Sequence, residues 1–379
     1  MIFPFESNTG QTIMRKHPNA QTLLNQVESL LPLIRTDAPT AERQGHLTDA
    51  VLAALFEQRL FRLFIPERYQ GEAADLPTAL KVFERIAYAD GATGWLVMIG
   101  AGGGLFSGFM AEAAAREIFE PENAVIAGSG MPSGLAKTTK DGCMKNGFEA
   151  SGRWAYASGA HHATWFTANC TVDDTDDILA IAVPAAEVTV HSTWSAFGMK
   201  ATGSHDFSIE KVTVPRDFTF SLADAPVLND PIFHCPLETL ASVTFGSVAV
   251  GIAQHALEAF QDFAQHKTLY GKDGVLAEQP AIQQCIEQAQ TQIKSARTQL
   301  YALADAVWQA CAQSQSPNEA VRAQVQTECI TLVQNGLHAA DNLKARAGMM
   351  AVFDTSEFGQ AWRDLHVLSQ HVILSPPLD

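Results

Sequence analysis

Serine and histidine side chains in three short motifs are the strongest candidates for chemistry in this chain. Ser129 lies in AGSG, Ser158 in ASG, and His371 ends WRDLHVLSQH. A serine hydroxyl both donates and accepts a hydrogen bond, and histidine exchanges a proton near neutral pH. Taken alone, serine beside glycine is typical of turns, and a lone histidine is typical of packing or of the surface. A catalytic role therefore requires a fold that brings these three residues together.

The charge balance excludes two classes of partner. The chain has 41 acidic and 25 basic residues, a formal net charge of −16. Neither nucleic acid nor an anionic membrane surface attracts so acidic a protein. With 379 residues, 47% of them hydrophobic, the chain is long enough to bury a large core. We therefore expect a globular protein without a nucleic acid or membrane partner.

The cysteines and the N-terminus indicate the cytoplasm. The cysteines show no CxxC or CxxH spacing, so neither a disulfide framework nor a metal site is predicted; they are Cys143, Cys170, Cys235, Cys285, Cys311 and Cys329. The first 20 residues lack the basic segment, apolar run and small-residue cleavage site of a secretory signal.

Helical patterns fill the first part of the chain and predict an N-terminal helical domain, residues 1–120. Pro32 and Pro39 are expected to bend or end the first helix. Thr48 is placed to cap the second helix. The stretch Gly94–Met110 carries no charge but is shorter than the ~20 residues that span a bilayer, so we interpret it as a buried helix.

Strand patterns replace the helical ones in residues 121–225. Short runs of branched and aromatic residues are separated by the turn dipeptides Asp141-Gly142 and Asn146-Gly147, which are typical of hairpins. So many short strands predict a small central β-barrel or β-sandwich domain.

Four long helical stretches return in residues 226–379 and predict a C-terminal four-helix bundle. They are Leu237–His266, Glu278–Gln313, Asn318–Met350 and Ser356–Leu374. The predicted fold class is therefore α+β, with helical domains on both sides of a β domain.

Three segments resemble one known family. Gly152–Trp165 (GRWAYASGAHHATW), Trp194–Pro215 and Trp362–His371 are similar to those of the acyl-CoA dehydrogenase superfamily. The last resembles the two-component (group D) flavin-dependent aromatic monooxygenases within it. The likeness covers about Leu47 to Pro376. It implies the acyl-CoA dehydrogenase-like fold, reduced FAD or FMN from a separate NAD(P)H flavin reductase, O2, an aromatic or heteroaromatic substrate, and a homotetramer.

The resemblance also implies roles for individual residues. His371 and Ser158 would be catalytic, with His371 as acid or base toward a flavin C4a-hydroperoxide. The residues implied to bind flavin are Ser129, Trp154, Ala157, Ser158, Lys267 and Gly348, and those implied to bind substrate are Trp95, Gly102, Gly103 and His371. His162 and His205 also match family positions, whereas His366 would point about 140° around the helix from His371.

Two departures from the relatives bear on substrate and cofactor. Relatives that act on phenols often have a histidine where this chain has Ala101 and Gly102–Gly104. The glycines leave room for a bulkier or less polar substrate such as an indole-like heteroaromatic, and helix packing explains them equally well. Phenol-like and indole-like substrates therefore both remain open. Lys267 stands where dehydrogenases have an arginine for the flavin pyrophosphate, and lysine lacks the arginine fork. FAD and FMN therefore both remain open.

Two alternatives accompany the monooxygenase hypothesis. An acyl-CoA dehydrogenase needs a carboxylate base, but no YEGT-like loop is present. A second family position for the base corresponds to Ala241, with Glu238 nearest. The other alternative is a non-catalytic homologue that binds flavin or a protein partner. The missing base favours oxygenation.

Overall fold

A computed structural model describes residues 20–139, 147–173, 175, 177–271 and 273–376. Some expectations lie outside these residues. They are the interpretation of residues 1–19 as an N-terminus without a secretory signal, the turn at Asp141-Gly142, the residue Asn146 of the turn Asn146-Gly147, and Cys143.

The N-terminal region contains five α-helices in the part that the structure describes, from residue 20 on. They are α1 (Ala20–Gln44), α2 (Asp49–Glu57), α3 (Leu76–Ala89), α4 (Gly91–Gly102) and α5 (Glu112–Phe119). The capping role predicted for Thr48 is confirmed, because its side chain accepts a hydrogen bond from the backbone N–H of Val51.

The expectation that prolines would break the first helix is wrong. Pro32 and Pro39 both lie inside the continuous helix α1. Both are exposed, and a spacing of seven residues places them within about 20° of each other around the helix. The backbone groups whose hydrogen bonds the prolines remove therefore lie on the side that faces water, which can replace those bonds.

The charge-free stretch is a buried helix, as predicted. α4 continues directly into a 3-10 helix, Gly103–Gly108. Its glycines permit close packing: a Cβ on Gly94 would lie 2.5 Å from the Cβ of Ala87 in α3, and one on Gly104 would lie 2.8 Å from the backbone of Ile65.

The strands form one seven-stranded sheet. They are β1 (Ile126–Thr138), β2 (Gly147–Ala157), β3 (Trp165–Val172), β4 (Ile178–Pro184), β5 (Thr189–His191), β6 (His205–Pro215) and β7 (Thr219–Phe220). The strand order is β5-β6-β2-β1-β3-β4-β7. β1 and β3 are parallel, and the other neighbours are antiparallel.

The sheet curls around its own core. Phe166 of β3 and Phe207 of β6 are three strands apart, which in a flat sheet is about 14 Å. Their ring centroids are 5.0 Å apart, and Trp154 of β2 stacks on Phe207 at 5.2 Å. The β region is therefore closer to an open barrel than to a sandwich of two sheets.

Four helices complete the chain: α6 (Leu237–His266), α7 (Pro280–Cys311), α8 (Glu319–Ala347) and α9 (Glu357–Leu368). Among the described residues only α6 has the length and composition of a membrane span, and 94% of that window is buried inside the protein. It packs against α3 and the other C-terminal helices in one hydrophobic core, so α6 is a core helix.

Candidate active site

A cavity of about 430 Å³ lies where the three regions of the chain meet. Its lining comes from α4, from strands β1, β3 and β4, and from the N-terminal part of α6. This volume is within the range of sites for small molecules and cofactors. Each region therefore contributes a wall to one shared site.

The sheet contributes the polar wall. Ser129, Thr167 and Asn169 line the cavity. The β1–β3 register shifts after Ser129, so Gly130 lies in a bulge, where the side-chain amide of Asn169 donates to the Gly130 carbonyl at 2.9 Å. Bulges redirect side chains at functional sites. This bulge orients Ser129 along the wall.

The helices contribute the apolar wall. A Cβ on Gly102 would meet no atom within 4 Å, and neither would one on Gly130 across the cavity. Gly103 is different, because its Cβ would lie 2.9 Å from the Cβ of Ile126. Both glycines predicted to bind substrate line the cavity, but only Gly102 leaves space there.

A second bulge positions Ser158. The pairs Trp154↔Phe207 and Ala157↔His205 leave two residues of β2 opposite one of β6, and Tyr156 takes a left-handed conformation with φ 67°. Ser158 follows this kink and is buried. Its Oγ accepts a hydrogen bond from the indole of Trp95 at 3.0 Å.

Three rings connect His371 to the cavity. Phe245 lines the cavity, and its ring centroid lies 4.7 Å from that of Trp95 and 4.6 Å from that of His371. Trp95 and His371 are 5.8 Å apart. Ser158, Trp95 and His371 therefore form one cluster that Phe245 separates from the cavity.

The position and charge of His371 differ from the expectation. α9 ends at Leu368, so His371 lies beyond it, where its Nδ1 accepts from the N–H of Ile373 at 3.3 Å. Burial lowers the pKa of His371 to about 4. The imidazole is therefore neutral near pH 7, with its proton on Nε2, and it is placed to donate a hydrogen bond.

Two of the residues predicted to bind flavin lie inside the β core instead. The side chains of Trp154 and Ala157 are fully buried there. The Trp154 indole donates to the carbonyl of Asn169 at 2.8 Å. Both residues support the strand that positions Ser158, and their side chains do not line the cavity.

Two other predicted flavin ligands are remote from the cavity. Lys267 caps the far end of α6, about 35 Å along the helix from Thr244, which lines the cavity. Gly348 ends α8 and is exposed. Within one copy of the chain, neither residue reaches this site.

The remaining histidines have structural surroundings. His205 accepts from the backbone N–H groups of Thr193 and Trp194. The His162 ring packs on Phe61 at 5.4 Å, and burial lowers its pKa to about 4. His366 contacts Asp341 at 3.0 Å.

No carboxylate lines the cavity within the described part of the chain. Ala241 does line it, whereas Glu238 is exposed on the first turn of α6. The described residues also contain no group of histidine, cysteine and carboxylate side chains that could hold a metal ion. A dehydrogenase base is therefore missing where the substrate would lie.

Sequence reasoning missed several residues of the site. Thr167 and Asn169 face the cavity as alternate residues of β3, a period-two pattern visible in WFTANCTV. Phe245 is one of many apolar residues in α6, and Thr202 and Ser204 join Ser158 only through the fold.

Comparisons with known proteins agree with this architecture. Residues 30–118 match the family "Acyl-CoA dehydrogenase, N-terminal domain", and residues 243–376 match "Acyl-CoA dehydrogenase, C-terminal domain". Indole-3-acetate monooxygenase of Pseudomonas putida is 26% identical over 92% of this chain and 89% of its own length. The oxygenase subunit HsaA of a flavin-dependent monooxygenase from Rhodococcus jostii is 25% identical over 93% of this chain and 94% of its own length.

Solved structures show the same fold. XiaF from Streptomyces, in complex with FADH2 and glycerol, superposes with a TM-score of 0.87 at 22% identity, covering 94% of this chain and 92% of XiaF. The chain belongs to the acyl-CoA dehydrogenase superfamily. Within that superfamily it is a flavin-dependent monooxygenase, an oxidoreductase.

The cavity suits an isoalloxazine ring system, which is flat, apolar at one end and rich in hydrogen-bonding atoms at the other. The hydroxyls of Ser129 and Thr167 lie on one wall. The open space beside Gly130 leaves this wall free of side-chain atoms at that point. The residues present therefore fit the cofactor.

Proposed function

We propose that this enzyme inserts one oxygen atom from O2 into an aromatic or heteroaromatic compound, using reduced FAD or FMN from a separate NAD(P)H flavin reductase. One observation carries the proposal: none of the described residues that line the cavity is a carboxylate, and Ala241 occupies the wall where a base would act. Dehydrogenation of an acyl thioester needs that base. Oxygen transfer to an electron-rich ring does not.

Each group at the site has a defined task in this proposal. Bound reduced flavin supplies the electrons that activate dioxygen. Ser129 holds the cofactor by a hydrogen bond from the cavity wall, and Phe245 with the apolar α4 wall excludes water from the reacting atoms. His371 lies against the ring of Phe245, and its Nε2 carries the proton that it can donate in a hydrogen bond.

The substrate we favour is uncharged and flat, with an indole-like size. Among the described residues that line the cavity, none carries a charge, and an ionised group buried there would have no partner. The space beside Gly102 accepts a second fused ring. The indole-bound structure of TdsC from Paenibacillus, with a TM-score of 0.78 and 19% identity over 91% of this chain and 92% of TdsC, shares this fold.

Product analysis tests the proposal. The protein is loaded anaerobically with reduced FAD or FMN and mixed with oxygenated buffer that contains indole. We expect a product with one added oxygen atom that comes from isotopically labelled dioxygen. Bleaching of oxidised flavin by an acyl-CoA, with no oxygenated aromatic product, would show a dehydrogenase instead.

A cavity-filling variant links that product to this site. Gly102→Leu places a side chain in open space and improves helix propensity, so we expect a folded protein whose KM for indole rises about tenfold or more. Ala53→Leu on the exposed face of α2 adds similar bulk away from the cavity. An unchanged KM in Gly102→Leu would show that indole binds elsewhere.

The assembly and location form part of the same proposal. A homotetramer in the cytoplasm would bring Lys267 of one copy near the site of another, since it cannot reach the cavity of its own chain. Helix faces of the C-terminal bundle would form the contacts between copies.

A further inference from the structure

The side-chain amide of Asn169 in β3 faces the cavity with an unused oxygen. Asn169 and Thr167 alternate with Ala168 and Cys170, which are buried in the core of the curled sheet. Successive residues of a strand point to opposite faces, so Thr167 and Asn169 lie on the cavity side, and both line the cavity. Within the described part of the chain, no residue donates to Oδ1 of Asn169. This oxygen is therefore left for a ligand.

Asn169 is held in place from three directions. The indole N–H of the fully buried Trp154 donates to its backbone carbonyl at 2.8 Å, and Ala180 is its neighbour in the β3–β4 ladder. Its side-chain amide donates to the Gly130 carbonyl at 2.9 Å. Turning the amide over would bring its oxygen against that carbonyl, and two acceptors cannot form a hydrogen bond. Oδ1 is therefore a fixed acceptor without a proton to give.

The hydroxyls on the same wall differ from this amide. Those of Ser129 and Thr167 can rotate and either donate or accept, so they suit the carbonyl oxygens along the polar edge of an isoalloxazine. Asn169 Oδ1 would repel such an oxygen. It requires a ligand that carries an N–H or O–H, because an acceptor left unpaired when a ligand covers it costs free energy. This part of the wall therefore matches a ligand that donates.

Asn169 lies toward the open end of the cavity. Its ladder neighbour Ala180 lines the cavity, and so does Ile178, which is two residues away, or about 7 Å along β4. Ile178 is 56% exposed, and Leu237, which also lines the cavity, is 41% exposed. These exposed apolar side chains mark the mouth of the cavity. A small substrate that enters there passes within reach of Asn169.

We propose that Oδ1 of Asn169 accepts a hydrogen bond from the ring N–H of an indole-like substrate, and so selects it over a ring of the same size without a donor. The inference rests on the proposed function, in which a flat aromatic compound occupies this cavity. The side chains of the α4 wall are apolar, so a ring N–H that faced them would be buried without a partner. Asn169 thus determines specificity through substrate binding.

Calorimetric binding of two aromatic compounds tests the inference. Indole has a ring N–H, and benzofuran has an oxygen in its place at nearly the same size. Each is titrated anaerobically into protein that holds reduced FMN or FAD, so no turnover occurs. We expect wild type to bind indole about tenfold more tightly than benzofuran. Asn169→Leu, which has a similar size and no acceptor, should bind the two equally.

The ratio of the two Kd values separates one hydrogen bond from general damage, because a distorted wall weakens both compounds together. Asn169→Asp keeps an oxygen acceptor in either protonation state, so it should keep the preference for indole. Thr167→Val removes a hydroxyl two residues along the same face of β3 and should keep the preference too. Asn169→Ala provides the same test as Asn169→Leu if the leucine variant does not fold.

Two outcomes would overturn the inference: equal affinity of wild type for indole and benzofuran, or a preference for indole that survives in the folded Asn169→Leu or Asn169→Ala protein. If the preference survives while the Kd of reduced flavin rises about tenfold in that variant, Oδ1 pairs with an N–H of the flavin instead. Failure of wild type to bind either compound would count against the proposed function itself, and this inference would fall with it.

Discussion

The charge state of His371 decides what the residue can contribute. Its low pKa of about 4 and the Ile373 N–H on Nδ1 favour a neutral ring with a proton on Nε2. We predict that His371→Gln, which keeps an N–H donor, retains more product per flavin oxidised than His371→Ala. The pH profile of product formation should be the same in both variants as in wild type between about pH 6 and 8. A wild-type inflection near pH 6.5 that disappears in His371→Gln would contradict this.

His162 predicts how stability depends on pH. Burial lowers its pKa to about 4 from 6.5, and its Nε2 has no hydrogen-bond partner. Below pH 6.5 the unfolded chain binds a proton that the folded chain does not, so the free energy of unfolding falls as the pH drops toward 4.

His162→Phe removes this titration and keeps a ring against Phe61. At pH 5 the variant should be more stable than wild type by about 2 kcal/mol, with little difference at pH 7.5, as measured by urea unfolding at both values. Equal differences at the two pH values would show that the gain comes from packing and not from protonation.

At the scale of elements, periodicity predicted most helices and strands well. The bounds of α6 agree with the predicted stretch Leu237–His266, and the strands fall within the predicted β region, residues 121–225. The patterns failed where the outcome depends on what surrounds an element. The prolines of α1 lie on the side that faces water, and the last helix stops six residues early because His371 begins a separate turn.

The site was less predictable than the fold for the same reason. Ser129 and Ser158 were named from their motifs, yet two bulges in the sheet decide where they point. A bulge depends on the register between strands that are distant in sequence. Trp154 belongs to the same motif as Ser158, but strand alternation places its side chain in the core.

One helix holds the loop that contains Gly198 and Met199. Asp364 of α9 accepts from the backbone N–H of Met199, and the Arg363 carbonyl lies 2.3 Å from where Gly198 would carry a Cβ. Burial, and then the nearby Asp90, raise the pKa of Asp364 well above its usual value. The carboxyl that holds this loop therefore favours its protonated form more strongly than an exposed aspartate does.

We predict opposite effects for two substitutions of Asp364. The raised pKa means that stability is lost as the pH rises above about 4. Asp364→Asn keeps the acceptor without the charge, so it should equal or exceed wild type at pH 7. Asp364→Ala leaves the Met199 N–H unpaired and should lower the free energy of unfolding by about 1–3 kcal/mol. Thermal unfolding would contradict this account if Asp364→Asn lowered the stability more than Asp364→Ala does.

At the scale of the whole molecule, two hydrophobic cores meet at one cavity. The helices on both sides of the sheet share the larger core, and the curled sheet has its own. Residues from α4 and α6 therefore face β1 and β3 across the site. Such an arrangement supports different substrates by changes in the wall residues, while the two cores stay the same.

An exposed apolar surface at the C-terminal end provides a test of assembly. Met349, Val352 and Phe353, which follow the C-terminal end of α8, are all more than half exposed, which is typical of an interface with another subunit. We predict a tetramer in light scattering for wild type and smaller species for the double variant Val352→Asp with Phe353→Asp. Val227→Asp, at an exposed site elsewhere, should keep the wild-type mass, and a monomeric wild type would exclude the tetramer.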